Sequence, residues 1–375
     1  MKFSKITSGS LAAALVVALA IPVLSTSSAS AATNYAKITS ASQGGGMAGL
    51  IKACQKEGQL NVVALPHYWA NYEDMLTGFK AAYGVKIDEA DPEASSQSEI
   101  DQSNQLKGTT RAPDVFDIGL AVAAKYVGTS TFAPYKVKLW SNLLGSSNFP
   151  TAEVTPNYTG TMTIGYDGSL GTITSLNDLL LPKFKGKISL NGDPLGSTAG
   201  MNGIYMINKA LGGTFDDISK GVAFFKKMTD VGNFTLVNPS QATILAGQTP
   251  VVIDNGYLQA GVVKVFAAAG KSWKMFTPAS VGSTYHMAVS AWAPHPACAR
   301  LWMEYTLGET GAKVFAIGGA TPTLWVWLVK TGRAPAEGIA AIGKSKISAE
   351  AATAAQTLAA RAYLKTAWPA AVGTA

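Results

Sequence analysis

Leu60-Asn61-Val62-Val63-Ala64-Leu65, then Met75-Leu76, Phe79 and Tyr83 closed by Gly84, then Val85-Lys86-Ile87: this succession decides the fold class. The first piece is a short apolar run of the kind that forms a buried strand. In the second, which begins at Trp69, apolar residues recur three and four apart, so they share one helix face. Gly84 stops that helix, because glycine adopts the left-handed cap conformation at no steric cost. The third piece starts another strand. Upstream, Met47 to Gly58 reads as a helix with Leu50, Ile51 and Ala53-Cys54 on one face and a glycine stop. Downstream, Ser98 to Leu106 is a polar helix, and Ala112-Pro113-Asp114-Val115-Phe116-Asp117-Ile118 is a loop feeding a third strand. Strand and helix in alternation predict an α/β protein with parallel strands and covering helices. Such sheets carry their binding loops at the carboxyl ends of the strands.

A second block repeats the pattern. Lys187 to Leu190 is a strand, Asn191 to Gly200 a Gly/Ser/Thr loop, Met201 to Ala210 and Asp217 to Asp230 helices, and Pro250 to Asp254 a buried strand ending in a carboxylate. Between the blocks lies the β-rich Thr161 to Tyr166, and after the second block the strand-like Thr284 to Trp292. Two crossings joining two α/β blocks predict a hinged, two-lobed architecture with mixed central sheets and a cleft between the lobes. Length agrees, since a single core stops growing near roughly 250–300 residues.

The first 31 residues read as a secretory signal peptide. Lys2 and Lys5 open it, Leu11 to Leu24 is apolar, and Ala29-Ser30-Ala31 offers a small-residue cleavage site. The apolar stretch falls short of the ~20 residues that span a bilayer. No cysteine stands at the expected cut, so no lipid anchor and no stable membrane anchor is expected. Loss of the two lysines lowers the formal charge from +7 to +5. That excess comes without a Lys/Arg block, which argues against nucleic-acid binding. Hydrophobic residues at 47% and charged residues at 14% fit a globular chain with a mild surface. Cys54 and Cys298 either bridge, as an exported chain permits, or stay buried and reduced in apolar helices. No His or Cys sits at ligand spacing around either, so no metal site and no cofactor is expected.

Several segments resemble one family. Phe79-Lys80-Ala81-Ala82-Tyr83-Gly84-Val85-Lys86 is similar to its "FkkkyGikV" segment, Ala112 to Asp117 to its "aPDVvd" loop, and Phe184-Lys185-Gly186-Lys187-Ile188 to its "yKGKv" opening of the second lobe. His295-Pro296-Ala297 to Tyr305 resembles "hPeaArlfmefll", and Glu309 to Ala312 the "seeGq" end. In this order and spacing the chain resembles an ABC-transporter solute-binding protein of the type 2 periplasmic-binding fold, in the group of iron(III), thiamine, polyamine and aminophosphonate binders. The resemblance implies a signal peptide at 1–31, a first lobe from 32–160 and 288–375, and a second lobe with its hinge crossings at 161–287. It implies a monomeric periplasmic receptor that captures a small solute by lobe closure and delivers it to an ABC permease in the inner membrane. No chemistry on the solute is implied.

Candidate ligand residues then stand at the strand ends. Trp69 and Tyr72 carry the Trp-x-x-Tyr spacing of polyamine binders, and aromatic faces suit a cation or a flat ring. Ser96 could hold an anion at a helix start or belong to its cap. Asp193 and Ser197 have the same two readings. Asp254 would pair a positive group, with Tyr257 beside it, and Tyr285 lies on the return crossing. The iron(III) binders' adjacent Tyr-Tyr pair is missing, with Tyr205 alone in that helix, and the polyamine binders' return-strand carboxylate is replaced by Tyr285-His286-Met287-Ala288. A small organic cation, polyamine- or thiamine-like, is the expected solute, with iron(III) as the alternative. An exported hydrolase is the distant alternative: Gly196-Ser197-Thr198-Ala199-Gly200 resembles a nucleophile elbow but centres on Thr. Its only bases would be His67, His286 and His295.

Overall fold

Gly58 and Gly84 end their helices in the left-handed conformation, with φ of 76° and 68°, and donate their N–H groups to Cys54 O and Lys80 O. These caps set the first unit of the computed structural model, which describes residues 33–345 and 349–373. The expected signal peptide at 1–31 lies outside the described residues. Helix α1 (Gly46–Glu57), strand β1 (Gln59–Val63), helix α2 (Tyr72–Tyr83) and strand β2 (Lys86–Ala90) form a parallel crossover unit. Its register runs from Gln59↔Lys86 to Val63↔Ala90. α2 starts at Tyr72 and not at Trp69, because Ala70 and Asn71 take φ of 45° and 68°. That leaves Trp69 on a loop at the carboxyl end of β1.

α3 (Ser96–Gln105) is capped by the Ser95 side chain, which accepts from Ser98 N. β3 (Val115–Gly119), α4 (Leu120–Tyr126) and β4 (Phe132–Ala133) follow. β3 does not extend the β1–β2 ladder. Asn61 N donates to Asp114 Oδ2 at 2.6 Å and Asp114 N to Asn61 O at 3.0 Å, which fastens β3 beside β1 without a continuous ladder. β3 pairs instead with a strand far along the chain.

That partner belongs to the central sheet. Its remaining strands are β5 (Thr155–Asp167), β6 (Ile188–Leu190), β7 (Val251–Asn255), β8 (Trp273–Phe276), β9 (Gly282–Ser290) and β10 (Thr321–Pro322). The order is β3-β9-β5-β7-β6, with β8 and β10 on β5 and β4 on β9. β6 and β7 are parallel and the other pairs antiparallel. β5 changes partner midway: Thr155 to Thr161 pair with β9, and Met162 to Asp167 with β7 and β8. The sequence suggests only Thr161 to Tyr166 as strand, so the crossing is longer than its β-branched part. A polar half-strand such as Thr155-Pro156-Asn157 is held by its neighbours and not by propensity.

Helices α5 (Thr198–Ala210), α6 (Ser219–Asp230), α7 (Gln241–Leu245) and α8 (Gly256–Ala268) cover β5–β8; α9 (Pro296–Thr306), α10 (Glu309–Ile317), α11 (Trp325–Lys330) and α12 (Ala336–Ile342) follow β9. Two large cores result. Leu50, Leu60, Met75, Phe79, Trp302 and Phe315 centre the first; Ile164, Phe184, Ile188, Ile204, Phe225 and Ile253 centre the second. β5 contributes to both, with Tyr158 in the first core and Met162, Ile164 and Tyr166 in the second. The last helix, α13 (Ala354–Val372), seats Leu364 and Trp368 in the second core, with the Trp368 ring 5.1 Å from that of Phe225. No helix among the described residues is long and apolar enough to cross a membrane. The pairing that the sequence leaves open is settled: Cys54 on α1 and Cys298 on α9 form a disulfide across the first core.

Candidate functional site

The carboxyl ends of β1, β3 and β6, the start of α3 and the middle of β9 converge on a cleft of about 550 Å³. Gln97 N donates to Gly196 O at 3.3 Å, so the two walls meet at one rim. Glu93, Glu99, Asp117 and Asp193 line the cleft, whereas no lysine, arginine or histidine does so among the described residues. Arg361 on α13 exerts its charge on Asp193 from outside the lining.

Asp117 sits in a strand whose five residues are all buried. Its Oδ2 accepts from the hydroxyls of Tyr72 and Tyr158, both at 2.6 Å. Its Oδ1 is buried and has no partner among the described residues. Burial pushes the Asp117 carboxyl up to about 6, against the lowering effect of the two hydroxyls. Glu99 accepts from Asp117 N at 2.9 Å. Burial, and then the neighbouring charge of Asp117, hold its carboxyl well above the usual range. Two desolvated carboxylates side by side with an open oxygen form an unfinished electrostatic site. A positive group would complete it, since opposite charge favours the ionised form.

The aromatic residues divide into lining and support. Trp69 and Tyr285 line the cleft, with rings 5.6 Å apart and nearly perpendicular at 78°. Phe234 and Trp368 line the facing side. Tyr257 is buried behind Trp69, 6.1 Å away, and neither its hydroxyl nor the Trp69 Nε1 has a partner among the described residues. Tyr72 is buried and reaches the site through its bond to Asp117.

Ser96, Ser197 and Asp193 are each engaged in backbone hydrogen bonds. Ser96 Oγ accepts from Gly119 N at 3.2 Å, fixing α3 on the end of β3. Ser197 Oγ accepts from Gly200 N at 3.0 Å and donates to Asn191 O at 2.7 Å. Asp193 Oδ1 takes Leu195 N at 2.8 Å and shapes the turn into α5. All three residues line the cleft. Asp254 stands one layer behind it and accepts from the cleft residue Asn191 at 2.8 Å. Burial pushes the Asp254 carboxyl up to about 7, with the Asn191 and Asn255 hydrogen bonds opposing.

Five of the eight residues proposed from the sequence thus line the cleft, and Tyr72, Asp254 and Tyr257 stand behind it. Sequence reasoning missed Glu93, Glu99, Asp117, Asn191, Phe234 and Trp368. Asp117 had a legible signal, a carboxylate inside an apolar strand. Trp368 had none, because it lies at the far end of the chain.

The features expected of iron or hydrolase sites lie elsewhere. Among the described residues no group of three or more His, Cys, Asp or Glu is arranged to hold a metal ion. Tyr205 is buried in the second core and donates to Gln356 O at 3.2 Å. Neither Thr198 nor any histidine lines the cleft. His67 lies between Glu73 and Glu89, and His295 is paired with Asp114.

A family model described as bacterial extracellular solute-binding protein matches residues 111–338. No curated protein sequence matches the chain. Among solved structures, it is similar to the periplasmic binding protein AfuA from Actinobacillus pleuropneumoniae with fructose-6-phosphate bound, at 16% identity and TM-score 0.62, covering 85% of this chain and 99% of that one. The ferric binding protein from Campylobacter jejuni is similar at 14% identity and TM-score 0.58, over 83% of this chain and 99% of that one. A putative spermidine/putrescine ABC transporter structure from Listeria monocytogenes is similar at 14% identity and TM-score 0.54, over 82% and 97%. At these identities the likeness establishes a shared fold, the two-lobed type 2 periplasmic binding architecture, and no shared ligand.

Proposed function

The chain belongs to the bacterial extracellular solute-binding proteins, and from that premise we propose that its solute is a small organic cation, polyamine- or thiamine-like, held in the cleft. As a family member it is the substrate-binding component of an ABC import system, working outside the cytoplasm with a membrane permease. The observation that carries the choice of solute is Asp117 Oδ1, a buried acceptor without a donor, in a cleft lined by four carboxylates and no basic side chain among the described residues. An ammonium group placed there would take the open oxygen, while Trp69 and Tyr285 offer ring faces to the rest of the molecule.

The mechanism follows from two states. Solute touching both walls stabilises the closed form by its differential affinity for it. We take the lobes as 32–160 with the return part of 288–375, and 161–287, with α13 reaching across to the second. Burial raises the Asp117 and Glu99 carboxyls and a bound cation favours their ionised forms, so cation capture should strengthen as pH rises through about 6. The carboxylates position and neutralise charge, and no bond of the solute changes. A monomer suffices for this cycle.

Iron(III) is the weaker reading. Tyr285 is the tyrosine that lines the cleft, and burial holds its hydroxyl well above its usual pKa, which opposes the tyrosinate an iron site needs. The test is a thermal-shift screen of the mature protein with spermidine, putrescine, thiamine, 2-aminoethylphosphonate, fructose-6-phosphate and ferric citrate. A solute that binds the folded state raises its melting temperature. Stabilisation by an amine, lost in Asp117→Asn, is expected. Stabilisation by ferric citrate or the sugar phosphate alone overturns the cation assignment.

A further inference from the structure

A second cavity, of about 480 Å³, lies on the reverse face of the hinge strands. Side chains alternate along a strand. On β9, Tyr285 lines the cleft, and its neighbours Thr284 and His286 line this second cavity. Pro156 and Thr159 of β5 form the same wall, Phe149 and Trp325 stand around it, and the start of α13 closes one side.

The chemistry differs from that of the cleft. No Asp, Glu, Lys or Arg among the described residues lines this cavity. His286 is 2% exposed, and its Nδ1 has no hydrogen-bond partner among the described residues. Its ring packs edge-on against Phe149, with centroids 4.9 Å apart at 73°. Burial lowers the imidazole pKa to about 4, so the ring is neutral at ordinary pH and one nitrogen is an acceptor. The Trp325 indole N–H already donates to Gly343 O at 3.0 Å, so that residue offers the cavity an apolar ring. An ion entering here would lose its hydration without meeting an opposite charge, which is costly. A flat neutral molecule loses little and gains ring contacts.

We propose that this cavity is a second binding site, separate from the solute cleft, for a neutral aromatic compound bearing one hydroxyl, a phenol in chemical class, with His286 accepting its hydrogen bond. The volume suits a one- or two-ring molecule, and the aromatic and proline walls favour a planar one.

The test is isothermal titration of the mature protein with 1-naphthol. Saturable binding with Kd below about 1 mM is expected, with 2-naphthoate at least tenfold weaker. Val326→Trp, which fills the cavity from its partly exposed edge, should weaken 1-naphthol at least tenfold and leave the cleft ligand unaffected. His286→Phe should weaken it about fivefold, while Trp69→Ala should leave it unchanged. If circular dichroism finds Val326→Trp unfolded, Ala354→Trp at the exposed rim replaces it. No saturable 1-naphthol binding to the wild-type protein overturns the proposal. So does binding that survives the filling variant or is lost with Trp69→Ala.

Discussion

The two faces of β9 make two cavities of similar size and opposite character. On one face Tyr285 joins four carboxylates around about 550 Å³; on the other Thr284 and His286 join uncharged walls around about 480 Å³. The difference comes from what the neighbouring elements bring to each side. β3 and α3 deliver Asp117 and Glu99 to the first face, whereas the second face receives prolines, threonines and aromatic rings. A buried carboxylate without a counter-charge is far more costly than a neutral imidazole with one unpaired nitrogen. The cleft therefore stores the larger electrostatic penalty, and the back cavity the smaller.

The most damaging change to that contrast is Asp117→Asn. It keeps an oxygen for Tyr72 and Tyr158 but removes the charge, and should reduce amine affinity at least 100-fold, about 3 kcal/mol, by isothermal titration. Affinity within threefold of wild type would mean that the cleft charge has no part in binding. Loss of the disulfide should act on stability alone. Cys54→Ser with Cys298→Ser should lower the unfolding free energy by about 2–4 kcal/mol in denaturant titration. Amine affinity should stay unchanged, because the bridge lies in the first core, away from both cavities.

The pH dependence sharpens the comparison next. Asp117 titrates at about 6 in the folded chain, against roughly 3.9 when unfolded. Its raised value means that the folded state holds the extra proton. Its stabilising contribution is complete below the unfolded value and is lost as pH climbs through about 6. Asp254 follows the same sign up to about 7. Between pH 4 and 7 the empty wild-type protein should therefore lose stability relative to Asp117→Asn, by an amount on the order of 1–3 kcal/mol, as followed by urea unfolding. Over the same range amine affinity should rise; a flat or falling profile would remove proton release from the mechanism. Trp69→Ala should cost about tenfold in amine affinity through lost ring contact. The smallest effect belongs to Asp254→Asn, which touches the cleft only through Asn191 and should change amine affinity less than about threefold.

Much of the architecture was legible because it is local. Gly58 and Gly84 mark helix ends by their own backbone freedom. Met75, Leu76 and Phe79 show their shared face by spacing, and all three are buried. Leu60 to Val63 declares a buried strand by composition. The strand after Asp114 was found, but its partner was not, since pairing with β9 depends on residues more than 160 positions later. The start of α2 moved for the same reason. Gly318 packs against the backbone of Ala70 and the Asn71 side chain, in the stretch where Ala70 and Asn71 take left-handed φ.

The cleft was legible where a lining residue follows a strand directly, as with Trp69, Asp193 and Ser197. It was illegible where depth decides the role. Asp254 ends a strand as convincingly as Asp117 occupies one, yet Asp117 lines the cleft and Asp254 lies behind Asn191.

The sequence alone determined the export signature as an expectation, the alternation of strands and helices, the two-lobed class and the set of aromatic and acidic residues from which a site could be drawn. Those follow from hydrophobic period, glycine stops and strand-end position, all of which act over a few residues. Tertiary structure alone decided the Cys54–Cys298 bridge, the seat of α13 in the second core, and which carboxylate lines the cleft. Each of these turns on a meeting of segments distant in the chain, and burial, not residue type, sets whether a charge there is paired, protonated or waiting for a ligand.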